Sequence, residues 1–117
     1  MRKNTLSPEG VVKKEIGDYL KQKGYTYFRM QAGRIRVRGG IMHLCMPGTA
    51  DFLVCLQAGW NVWIECKSPK GITAKEQLDV QAAFRLRVEA LGHAYTRCRS
   101  VEEVQQFLSF QHGMEER

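Results

Sequence analysis

The chain has 117 residues, 44% of them hydrophobic, and a formal net charge of +6. That bounds it to one small domain over 1–117 with a modest core. Its apolar runs are too short to span a membrane, and no apolar core follows the charged start Met1, Arg2, Lys3 and Asn4, so neither a transmembrane helix nor a signal peptide is expected.

Cys45, Cys55, Cys66 and Cys98 form no CxxC pair, and His43, His93 and His112 are scattered. This argues against a zinc site or a disulfide framework, and for small buried thiols in a cytoplasmic protein. The charge is uneven. Residues 1–40 hold ten Lys or Arg against Glu9, Glu15 and Asp18. Such a half can be solubilising surface; this lopsidedness points to a polyanionic partner, nucleic acid first.

Residues 7–24 read as a helix, with Ser7 as N-cap, Pro8 in the first helical position and Gly24 at the stop. Val12, Ile16 and Leu20 make its apolar stripe. Glu9 falls three residues before Val12, on the inward side. A carboxylate near a helix N-terminus complements the dipole, but that role does not need the inward side. Residues 25–31 are aromatic and β-favouring and read as a strand.

Residues 34–38 alternate strictly, with Arg34, Arg36 and Arg38 on one face and Ile35 and Val37 on the other. Two readings stay open: an edge strand that blocks aggregation with charge, and a ribbon that contacts phosphates. The stretch to Met46 reads as either loop or the rest of a hairpin. Two apolar runs then surround a turn at 57–61 and predict paired strands. The first begins at Asp51. The second ends in Glu65, Cys66 and Lys67, so Glu65 and Lys67 share a face and Cys66 takes the other.

Thr73 and Glu76 read as a capping box for a helix to about Leu91, stopped by Gly92. Its apolar line is Leu78, Phe84, Val88 and Leu91. Gln81 completes that line, and a glutamine in a core stripe needs a hydrogen-bonding task. Gln77 lies on the same side, nearer the loop. Residues 93–98 read as a last strand. Ser100 and Glu103 read as a second capping box, opening a helix with Val101, Val104, Phe107 and Leu108 inward. Residues 111–117 read as a frayed end, with a disordered tail over 112–117. The fold class is α/β, a mixed sheet flanked by helices in the order α-β-β-β-α-β-α.

Glu9, Asp51, Glu65, Lys67 and a glutamine thus come from separate segments and aim at one end of the sheet. Three carboxylates suit a hard cation, Mg²⁺ or Mn²⁺. The lysine is either a salt-bridge partner or a group that orients water and stabilises developing charge. With a basic surface, the matching substrate is a phosphodiester.

At these residues the chain resembles the PD-(D/E)XK nuclease superfamily, and within it the VRR-NUC family, especially the short standalone phage and bacterial type. The resemblance is carried in order by Glu9 with Val12, Ile16 and Leu20; Phe28, Arg29 and Gly33; Pro47, Gly48, Thr49, Ala50 and Asp51; Ile64, Glu65, Cys66 and Lys67 with Pro69 and Gly71; Gln81 with Phe84, Val88, Glu89, Ala90, Leu91 and Gly92; and Arg99, Ser100, Val101, Glu102, Glu103 and Val104.

It implies a restriction-endonuclease-like core. Asp51, Glu65, Glu9 and the Cys66 backbone carbonyl would hold the metal. Lys67 would be the active-site lysine, with Gln81 (or Gln77) beside it. Arg29, Arg34, Arg36, Arg38 and Lys70 would bind DNA. The implied activity is metal-dependent cleavage of DNA, selective for Holliday junctions or other branches, by a homodimer. The alternatives are a non-catalytic DNA-binding module using residues 34–38, and a nuclease acting on plain duplex or single strands.

Overall fold

The computed structural model describes residues 6–71 and 73–115. Met1 to Asn4, Glu116 and Arg117 therefore lie outside the described residues. In chain order the elements are α1 (Pro8–Gln22), β1 (Thr26–Arg29), β2 (Arg34–Val37), β3 (Gly40–His43), β4 (Phe52–Cys55), β5 (Asn61–Cys66), α2 (Lys75–Ala90), β6 (Ala94–Cys98) and α3 (Val101–Glu115). The main sheet has the order β1-β4-β5-β6. β1–β4 and β4–β5 are antiparallel, and β5–β6 is parallel with α2 as the crossover. This is the mixed sheet between helices that the sequence predicts, with two strands more than the expected order.

Alternation along β5 decides the layers. Val62, Ile64 and Cys66 face a core with Val12, Ile16 and Leu20 of α1, and Val104 and Leu108 of α3. Trp63 faces the other way, against Ala50, Tyr95, and Phe84 and Val88 of α2. Both faces are covered, so charge at the end of β5 sits between two apolar layers. Among the described residues no helix is long and apolar enough to cross a membrane.

The local signals mostly hold. Ser7 accepts a hydrogen bond from the Gly10 N–H, and Pro8 opens α1. Ser100 accepts from the Glu103 N–H, while the Glu103 carboxylate reaches back to the Arg99 N–H. Three expectations are corrected. α2 starts one residue later than its capping box predicts, with Ala74 and not Thr73 at the N-cap and no side-chain cap; Glu76 in the first turn complements the dipole instead. Leu91 is 71% exposed, because the helix has ended and Leu91 is its C-cap.

Residues 111–115 are helical, not frayed, and Gln111 is buried, accepting a 2.7 Å hydrogen bond from Trp60 Nε1. The stretch before Met46, open between loop and hairpin in the sequence, forms β3, which pairs with β2 in a separate two-stranded ribbon turning at Arg38 and Gly39. The apolar face expected on β2 covers nothing: Ile35, Ile41 and Met42 are all exposed.

Candidate functional site

A cleft of about 630 Å³ opens beside the sheet, lined by Glu9, Lys13, Arg29, Asp51, Glu65, Gln77 and Gln81 among others. Residues 30–33 and 47–49, the two ends of the ribbon's stem, form one wall of it.

Asp51 reaches the cleft from a tight turn just ahead of β4. The Thr49 N–H and hydroxyl both donate to the Met46 carbonyl, at 3.2 and 2.6 Å. Gly48 there has φ +85°, and a Cβ at that position would run into the Val80 carbonyl of α2. Only glycine satisfies both demands. The Asp51 carboxylate then splits its work. Oδ2 accepts a 2.7 Å hydrogen bond from the Cys66 N–H, which ties the turn to the end of β5. Oδ1 faces the Lys13 ammonium at 3.2 Å.

Glu65 is 4% exposed, Lys67 2% and Gln81 4%. Lys67 Nζ lies 3.5 Å from Glu65 Oε2, and Gln81 Nε2 donates to the same oxygen at 3.4 Å. Burial and the nearby Asp51 charge, opposed by Lys67, push the Glu65 carboxyl up to about 8. The glutamine question is answered by burial: Gln81 touches Glu65, while Gln77 is exposed at the cleft wall. Cys66 points into the opposite core and is fully buried, which raises its thiol well above the usual range; it is inert as a nucleophile.

Three buried polar atoms have no hydrogen-bond partner among the described residues: Lys67 Nζ, Gln81 Oε1 and the Tyr95 hydroxyl. Two belong to side chains that touch Glu65. Burial, then the Glu65 charge, raises Tyr95 to about 12. An orphaned buried donor or acceptor costs about 1–3 kcal/mol. Such groups persist where a function or a bound species accounts for them.

Glu9 is placed less directly. Its Oε2 is 3.7 Å from Lys13 Nζ, so that ammonium stands between Glu9 and Asp51. Partial burial works against the Lys13 charge, but Asp51, by charge and hydrogen bond, outweighs it with help from Glu9 and Glu65, and the lysine is held above its ordinary value. Accordingly, among the described residues no three carboxylate, imidazole or thiol side chains converge as a ready-made metal site. The expected three-carboxylate shell is reduced to the Asp51–Glu65 pair. Mg²⁺ commonly takes one or two carboxylates and fills the rest with water and phosphate oxygens. Asp51 and Glu65, with the unpartnered Gln81 Oε1 on the neighbouring side chain, fit that pattern.

Lys13 is the residue the sequence reading missed. It falls among the ten basic residues of 1–40, yet its position four after Glu9 puts it on the same side of α1. Of the expected DNA-binding residues, Arg29 is exposed and lines the cleft. Arg34 and Arg36 are exposed on the ribbon, Arg38 is exposed at its tip, and Lys70 is exposed in the loop after β5. No protein-family model matches the chain, and neither does any curated protein or solved structure.

Proposed function

We propose that this chain is a metal-dependent DNA endonuclease of the PD-(D/E)XK type, similar to the short VRR-NUC proteins, that cuts branched DNA as a homodimer. The observation that carries the reading is Asp51, Glu65 and Gln81, brought by three segments to one cleft, with Lys67 buried against Glu65 and Gln81 Oε1 left without a hydrogen-bond partner among the described residues. The ordered motif resemblance and the basic ribbon beside the cleft support it.

In this reading Asp51, Glu65 and the Cys66 carbonyl would hold the ion, and Glu9 would orient that shell. A bound Mg²⁺ or Mn²⁺ would supply an activated water and neutralise charge on the phosphate. The Gln81 amide fixes the Glu65 carboxylate by its hydrogen bond. Lys67, buried on the same oxygen, places positive charge where the attacked phosphate gains negative charge. Arg29, Arg34, Arg36, Arg38 and Lys70 draw the DNA backbone to the cleft. Cutting two strands of a branch needs two such sites, which is why the reading includes a dimer.

The test is cleavage of labelled four-way junction, flap, duplex and single-stranded DNA with and without Mn²⁺, paired with the mass of the protein in solution. Metal-dependent cuts on branched DNA by a dimer support the whole reading. Cuts on plain duplex or single strands by a monomer keep the chemistry and remove the selectivity. One observation favours a second reading, a non-catalytic DNA-binding module. Lys13 and Lys67 already neutralise the carboxylates as an ion-pair network. If the wild type cuts none of these substrates yet binds them, that reading replaces the first.

A further inference from the structure

The Asp51 carboxylate has one oxygen to give. Oδ2 is committed to the Cys66 N–H inside the fold. Oδ1 faces the Lys13 ammonium at 3.2 Å, so a cation that engages it meets Lys13. An ammonium and a divalent ion compete for that oxygen, because two cations brought so close repel each other. Lys13 is also built to leave. Its side chain is 29% exposed, on a flexible four-carbon stem. It lines the main cleft and also a smaller neighbouring groove of about 170 Å³ with Lys14, Arg29 and Tyr27. Lys14 in that groove is held by Asp18 at 2.9 Å. Arg29 has no ion-pair partner among the described residues, so the groove presents net positive charge next to the cleft.

We propose that Lys13 is a mobile cation of this site: it holds Asp51 while no divalent ion is bound, yields Oδ1 to the ion, and passes to a backbone phosphate of the DNA in the groove shared with Arg29. The inference rests on the metal-dependent reading above. It makes Lys13 a positioning residue in the empty site and a substrate-binding residue in the loaded one. It also accounts for the absence of a three-carboxylate cluster among the described residues, since Lys13 stands where the third carboxylate would close in.

The experiment compares wild type with Lys13→Met, a neutral side chain of similar length that keeps α1 helical. Mn²⁺ titration followed by calorimetry, without DNA, should show the variant binding about five- to tenfold more tightly. Without metal the variant should melt below wild type, as Asp51 and Glu9 lose their counter-ion, and saturating Mn²⁺ should close the gap. DNA binding is then measured against salt on a Lys67→Met background, which keeps the DNA intact. In EDTA the Lys13→Met change should leave the slope of log K on log salt unaltered. In Mn²⁺ it should reduce that slope by about 0.9, one phosphate contact.

Equal or weaker Mn²⁺ affinity in Lys13→Met overturns the exchange while leaving the metal reading in place. Tighter affinity with no slope difference in Mn²⁺ overturns the hand-over to phosphate. Absence of Mn²⁺ binding by both proteins overturns the metal reading and this inference with it.

Discussion

The β4–β5 hairpin and the β2–β3 ribbon are both short antiparallel pairs carrying charge, and they meet opposite fates. In β5, Val62, Ile64, Glu65 and Cys66 are all buried, with helices packed on both faces. In the ribbon only Val37 is partly covered. The alternation of Arg34, Ile35, Arg36 and Val37 is the cleaner amphipathic pattern, yet it stays mostly exposed. Alternation states that a strand has two faces; neighbours decide whether either is inside. The same charge therefore means different things. On the ribbon it is solvated and available to a long-range partner. At Glu65 and Lys67 it is enclosed between packed layers, and the Glu65 carboxyl is raised by that burial.

The sharpest way to break this contrast is chemical. Asp51→Asn or Lys67→Met should lower metal-dependent cleavage by orders of magnitude. Arg34→Ala with Arg36→Ala should leave the single-turnover rate at saturating DNA nearly unchanged. A quenched-flow assay separates the two, and equal losses would erase the distinction.

Next comes packing. Ile64→Ala in the filled core should cost about 2–5 kcal/mol in urea unfolding. Ile35→Ala on the ribbon should stay within about 0.5 kcal/mol. A large loss at Ile35 would mean that the ribbon's apolar face is covered in solution.

The third is pH. Glu65 has a folded-state value of about 8 against 4.5 for the ordinary group. Between those values the folded chain holds the extra proton, so without metal its stability should fall as pH rises from 4.5 to 8. Glu65→Gln should flatten that part of the melting profile, and an unaltered slope would show that the carboxyl is not held protonated. The smallest effect belongs to the ribbon arginines. Losing Arg34 and Arg36 should lower the salt slope of DNA binding by about 0.9 for each phosphate contact removed.

Much of the site was legible residue by residue. Glu65 and Lys67 follow from period-two alternation in a strand, and Gln81 from its place in a 3.6-period stripe. Burial then separated Gln81 from Gln77, because only the former sits under the cleft wall against β5. Lys13 was hidden for a different reason. Its partner is 38 positions away in sequence, and no periodicity links them.

What the sequence determined by itself is what short-range physics controls: the caps Ser7 and Ser100, the helix stripes, the alternation of β5, and the mixed α/β order. Tertiary structure alone decided which amphipathic strand is enclosed, which carboxylate oxygen is free, and which cation stands on it. Those depend on distances between segments far apart in the chain, where packing, desolvation and charge act together and leave no local pattern to read.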